Sequence, residues 1–224
     1  MTERARWATI TIFAVAMAYV EAAVVLYLRV LVNQMDPYPP NPSAVPDWMI
    51  PTEIVREAAT GTMLLAVGGV AGRSWSSRLG FFFIGFGVWD IFYYVFLKVL
   101  TGWPRTLLDW DILFLIPLPW WGPVLAPTSI AVLMIVGGTL MSRFDHRPDA
   151  RRPGRLSWGL SSAGALLALY VFMADSLGAM SGGIEAIRHV VPTRFNWPLF
   201  TVAWALMAAP LFDMGRPFRR TRNL

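Results

Sequence analysis

The chain contains no cysteine. That excludes disulfides, thiolate metal sites, cysteine-ligated clusters and cysteine nucleophiles. Histidine is nearly absent too, with only His146 and His189 in 224 residues. Charge is sparse: 15% of residues are charged and 56% are hydrophobic, whereas a soluble domain carries about 25% charge. Lysine occurs once, at Lys98, among 19 basic residues; the preference for arginine fits a GC-rich bacterial genome. No phosphate loop, dinucleotide fingerprint or G-x-S-x-G turn is present.

What is there is long apolar runs rather than amphipathic stripes, the pattern of a polytopic membrane protein in a lipid bilayer. The isoelectric point near 10.1 does not imply a nucleic-acid partner, because the arginines sit in short segments between apolar runs, where membrane orientation accounts for them. The runs predict spans over residues 7–32, 52–72, 79–100, 123–141, 156–177 and 197–212. The expected fold is therefore an all-α integral membrane protein, a single domain over residues 1–224 forming a bundle of six transmembrane helices. Arg4, Arg6 and Ala16-Met17-Ala18 have the look of a secretory signal, but the run continues to Leu31, too long for a signal core, and reads as the first span.

Six spans place both termini on one side. Segments on that side hold 13 basic residues, and the other side and the helices hold six: Arg29, Arg56, Lys98, Arg105, Arg188 and Arg194. By the positive-inside rule both termini are expected in the cytoplasm, across a bacterial inner membrane. The loop over residues 33–51 carries six prolines and no basic residue, and is expected as an extracytoplasmic cap with Tyr38 and Trp48 at the interface.

One stretch breaks the pattern of plain spans. Residues 103–127 read WPRTLLDWDILFLIPLPWWGPVLAP, with Asp109 and Asp111 flanking Trp110, and Pro117, Pro119, Pro123 and Pro127 interleaved with Trp120, Trp121 and Gly122. Four prolines so close cannot share one regular helix. Non-helical backbone at membrane depth survives only where protein covers it or water reaches it. A Pro/Trp-rich interfacial or re-entrant segment is thus expected before the fourth span, its first part (104–116) as a short helix.

The acids distribute opposite to the arginines. Glu21 and Asp90 lie at spanning depth, where a carboxylate costs at least about 2.5 kcal/mol. Glu53, Arg56, Glu57 and Thr60 share one face of the second helix, and Asp90, Tyr94 and Lys98 form a stripe on the third. These patterns predict a polar pocket in the outer half of the bundle, built from Glu21, Arg56, Glu57, Asp90, Tyr94 and Lys98 and roofed by Asp109, Asp111, Trp120 and Trp121. A fully paired network that only fixes helix register would use the same residues.

Haem is not expected, because the two histidines fall on opposite sides of the predicted bundle. A histidine zinc or copper site lacks ligands. A carboxylate-only site for a hard cation, using Asp109 and Asp111 with Glu53 or Glu57, stays open, as does a pigment or quinone held without ligands. Three function classes are compatible with these features. The leading one is an outward-facing pocket that binds or translocates a small solute or protons. The second is a non-catalytic subunit of a larger respiratory or photosynthetic membrane complex, or a homo-oligomer. The third is a membrane enzyme using Asp90 with Asp109 or Asp111.

Overall fold

A computed structural model describes residues 1–33, 46, 48–143, 152–188, 190 and 192–215, with the side chains of Ile184, Glu185 and Arg188 excepted. Most of the proline-rich loop (including Tyr38), both histidines and the C-terminal arginines lie outside these residues.

Among the described residues six helices are long and apolar enough to cross a membrane: Glu3–Leu31, Met49–Ala71, Trp75–Thr101, Leu125–Ser142, Arg155–Gly182 and Trp197–Gly215. The first four contain α1 (Glu3–Leu31), α2 (Met49–Ala71), α3 (Trp75–Thr101) and α4 (Leu125–Ser142). The fifth is α5 (Arg155–Ala179), prolonged by a 3-10 turn and followed by the short α6 (Gly183–Arg188). The sixth comes in two pieces, α7 (Trp197–Met207) and α8 (Ala209–Gly215), meeting next to Pro210, which has no amide to donate. The boundaries follow local chemistry. The Thr2 side chain accepts from the Ala5 amide to cap α1. Ser74 and Ser77 form a reciprocal capping box at α3. Gly102 ends α3 with φ 76°, a left-handed conformation glycine adopts without strain.

α3 is the hub, packing against α1, α2 and α4, while α5 pairs with α7. Half of its most apolar window is buried, against 17% to 33% in the other five spans. Lipid tails are as apolar as side chains, so helix association here depends on close fit rather than on the hydrophobic effect. Small residues supply it. Ala14, Ala18 and Ala22 recur every fourth residue on α1 and are fully buried, the first two packed with Leu64, Phe81, Ile84 and Val88. α3 and α4 meet at Gly80 and Gly138: a Cβ on Gly138 would stand 2.4 Å from the Gly80 carbonyl, and one on Gly80 2.8 Å from that of Gly138. A second apolar cluster, around Phe172, Phe195 and Phe200, joins α5 and α7 to the start of α4.

Residues 104–116 do not form the expected short helix. A turn over 105–108 leads into β1 (Trp110–Ile112), which pairs antiparallel with β2 (Trp121–Pro123) in the register Trp110↔Pro123, Asp111↔Gly122, Ile112↔Trp121. The ladder continues through the Leu113 amide to the Trp120 carbonyl and the Trp120 amide to the Phe114 carbonyl, both at 2.8 Å. The prolines explain the choice. Pro117 and Pro119 occupy the tip, Pro123 sits in a strand with one neighbour, where a missing donor is tolerated, and Pro127 lies in the first turn of α4, where an amide has no helical partner. Among the described residues the regular structure is therefore helical apart from this two-stranded hairpin, and α4 starts at Leu125 rather than at Pro123.

Gly138→Val should push α4 off α3 and cost about 1–3 kcal/mol by overpacking. Gly61→Ala, at a helical glycine whose added Cβ would meet nothing within 4 Å, should leave stability equal or raise it by up to about 1 kcal/mol. Thermal unfolding of both variants in mild detergent checks this; equal losses would show that the α3–α4 contact is not a tight one.

Candidate functional site

At the end of the bundle where α1 and α3 finish and α2 begins, the helices diverge around a cavity of about 780 Å³. α1 contributes Glu21 and Arg29, α2 contributes Glu53, Arg56, Glu57 and Thr60, and α3 contributes Trp89, Asp90, Tyr93 and Tyr94. The hairpin closes it with Asp111, Phe114 and Trp121, together with the proline tip. The helical period places the α2 residues on one face and turns Asp90 and Tyr94, four apart, to one side of α3.

Most charged groups of the cavity have named hydrogen-bond or ion-pair partners. The Arg56 guanidinium forms an ion pair with Glu21 of α1. It also donates from Nε and Nη2 to Glu53 Oε2 at 2.8 and 2.6 Å. Thr60 donates its hydroxyl to Glu21 at 3.3 Å. The Leu115 amide donates to both oxygens of Glu57, at 3.0 and 2.8 Å, tying the hairpin tip to α2. Tyr94 donates its hydroxyl to Asp111 Oδ2 at 3.1 Å, tying β1 to α3. Arg29 lies over the Trp103 ring, 4.4 Å from its centroid. Asp90 differs. It is 7% exposed, and its Oδ2 is buried with no hydrogen-bond partner among the described residues. The indole N–H of the adjoining Trp89 is likewise buried without a partner among them.

Asp111 stands outside the spanning helices, in β1, and is 3% exposed. Burial pushes its carboxyl up to about 6, against the opposing pull of the Arg29 charge and the Tyr94 hydroxyl. Asp109, two residues away, goes the other way. What burial it has would raise it, but hydrogen bonds from the Thr106 hydroxyl and the Arg105 amide, each 2.7 Å, outweigh this and hold it below the usual carboxylate value.

Of the ten residues expected in the pocket, seven line the cavity: Glu21, Arg56, Glu57, Asp90, Tyr94, Asp111 and Trp121. Three do not. Lys98 is exposed and donates to the carbonyls of Gly102 and Arg105 at 3.2 and 3.5 Å, capping the end of α3; one turn beyond Tyr94, it has left the cavity face. Asp109 precedes β1 and staples the 105–109 turn: its carboxylate accepts from the Arg105 amide and the Thr106 hydroxyl and does not line the cavity that Asp111 enters. Trp120 faces the other half of the protein, its ring parallel to that of Phe172 at 6.3 Å. Arg29, Glu53, Thr60, Trp89 and Tyr93 join the lining. Glu53 and Thr60 were visible as members of the α2 face, and Tyr93 as a neighbour of the α3 stripe. Trp89 stood out in the chain as the neighbour of Asp90 in the Trp89-Asp90, Tyr93-Tyr94 motif, but was not assigned to the pocket.

The carboxylate-only cation site is not assembled: among the described residues no group of three or more Asp, Glu or His side chains is placed to hold a metal ion. Comparison with protein-family models, curated proteins and solved structures found no match to this chain.

The raised Asp111 carboxyl gives a testable pH dependence. The folded state holds the proton more tightly than the unfolded chain, whose value is about 3.9. The stabilisation is therefore complete below about pH 4 and is lost as pH rises through about 6. Relative to Asp111→Asn, the native protein should lose about 3 kcal/mol across that interval and nothing further above pH 7. Unfolding midpoints of the two proteins from pH 4 to 8 measure it; parallel curves would mean that Asp111 titrates normally.

Proposed function

We propose that this is a multi-pass membrane protein, with both termini in the cytoplasm, whose cavity opens to the outer side and binds a small solute. The observation that carries the reading is the Asp90 carboxylate, buried in the wall of a cavity of about 780 Å³ with one oxygen lacking a hydrogen-bond partner among the described residues. A network serving only to fix helix register gains by pairing every member, as it does for Glu21, Glu57 and Arg56. Leaving a buried acceptor unpaired costs about 1–3 kcal/mol, more for a charged one. A bound molecule that reaches Asp90 gives that cost a purpose. The size of the cavity is in the range of small-molecule sites, with apolar walls and a few polar groups.

Binding is the step this conformation supports. Leu64, Phe81, Ile84 and Val88 fill the bundle on the other side of Asp90, and none of them lines the cavity. Passage through the protein would require that core to part.

The absence of cysteine makes the test clean. In intact cells a membrane-impermeant thiol reagent should label Leu108→Cys, on the hairpin turn, and Thr60→Cys, in the cavity wall. Arg73→Cys, between α2 and α3, should react only after permeabilisation. Labelling at Arg73→Cys alone would invert the orientation. No reaction at Thr60→Cys from either side would remove the open cavity and with it this reading.

A further inference from the structure

The charge balance of the cavity narrows the chemistry of its ligand, an inference that rests on the proposal that the cavity binds a solute. Five carboxylates line the cavity, Glu21, Glu53, Glu57, Asp90 and Asp111, against two guanidinium groups, Arg29 and Arg56. Arg56 is held between Glu21 and Glu53. Its positive charge is already taken up by two negative ones, so it is not an anion receptor. Arg29 is packed against the Trp103 ring. An anionic ligand would therefore enter a field of its own sign. A neutral ligand would leave the cavity's surplus of negative charge without a counter-charge.

A bare divalent cation does not fit either. It needs several converging oxygen ligands, and among the described residues no such group exists. The cavity offers instead one buried carboxylate with an open acceptor, set among aromatic rings. Trp89, Tyr93, Tyr94, Phe114 and Trp121 all line it, with Trp89 and Tyr93 stacked at 6.2 Å and Phe114 at 6.4 Å from Trp89. Aromatic walls around an acid are the recognition chemistry of an organic ammonium ion, whose charge is shared between ion pairing and cation–π contact. The open indole N–H of Trp89, beside Asp90 in the chain, adds one donor for a ligand oxygen.

We propose that the cavity is a receptor for an organic monocation, a protonated amine carrying an aromatic or similarly flat apolar body, with Asp90 as its counter-ion. The amine's N–H groups donate to Asp90, and its body lies against the Trp89–Phe114 wall.

The test uses the full-length protein with Thr60→Cys as its one thiol. Modification rates are measured with a cationic methanethiosulfonate (trimethylammonium-ethyl) and an anionic one (sulfonato-ethyl), each normalised to the exposed Leu108→Cys. Both reagents need the same thiolate, so their ratio reports the local field alone. The cationic reagent should be favoured by roughly tenfold or more. 2-Phenylethylammonium should slow the modification, and its near-isostere 2-phenylethanol should not. Adding Asp90→Asn should abolish the protection while a neutral methyl reagent still modifies the thiol, which shows that the variant is folded and its cavity open. If Asp90→Asn proves unfolded, Phe114→Leu substitutes for it and should weaken protection by the amine at least severalfold. Equal normalised rates, or equal protection by amine and alcohol, overturn the cation assignment and leave an open cavity standing. No modification by any reagent overturns the binding reading itself, and this proposal with it.

Discussion

Arg56 holds the cavity end of the bundle together. α1 and α2 touch little along their length and each packs mainly on α3. Where they come near one another, the Arg56 guanidinium bridges Glu21 on α1 and Glu53 on α2, and Thr60 completes the set on Glu21. The arrangement is dictated by the solvent. Within a bilayer an unpaired carboxylate is expensive, so two acids on facing helices compel a cation between them. Once that cation is set, the α1–α2 wall of the cavity is set with it. Loss of Arg56 would leave two uncompensated acids, a far larger disturbance than loss of the pair as a whole.

The hairpin depends on the same end. It cannot be stable alone, since a two-stranded ribbon of this length is marginal even in water. It is fastened on three sides: Leu115 to Glu57 of α2, Asp111 to Tyr94 of α3, and the Pro119 carbonyl to the Ser176 hydroxyl of α5 at 2.6 Å. Gly122 lets the second strand lie on Phe172, where a Cβ would stand 2.9 Å from the ring. These contacts satisfy the requirement that irregular backbone in a membrane protein be covered. They also make the hairpin one joint between the α1–α4 group and the α5–α7 pair, beside the direct packing of α4 on α7 and α8. The roof of the cavity thus helps to link the two halves.

Within this frame Asp90 stands apart. Glu21, Glu53, Glu57 and Asp111, the other acids of the cavity wall, each have a partner that accounts for them. Asp90 sits in the most buried helix, beside an aromatic wall, with an oxygen that no donor among the described residues reaches. A binding function uses that departure from full pairing in a cavity whose other acids have partners.

The six spans were legible in the chain because hydropathy over about twenty residues is a local property that needs no knowledge of neighbours. The break at residues 103–127 was legible for the same kind of reason, since a proline's missing donor acts on its own turn. The type of structure there was not. The expected helix over 104–116 gave way to strand pairing, and pairing is decided by what the two arms meet across the turn. Periodicity put Arg56, Glu57 and Thr60 on one face of α2, and Asp90 and Tyr94 on one side of α3. It could not say which faces meet, because helix rotation and crossing are settled by small residues such as Gly80 and Gly138, which lie far apart in sequence. Lys98 shared the α3 stripe and left the cavity by being one turn too far along. Asp109 and Asp111 looked like a pair, and within one strand they would face the same side; the strand begins only at Trp110, so Asp109 is held in the preceding turn while Asp111 enters the cavity wall. Hydropathy and proline placement along the chain were enough to mark six segments able to cross a membrane and the point where helix must break; which acids share a cavity, and which of them lacks a partner among the described residues, came from packing, because side-chain neighbourhood does not follow from order along the chain.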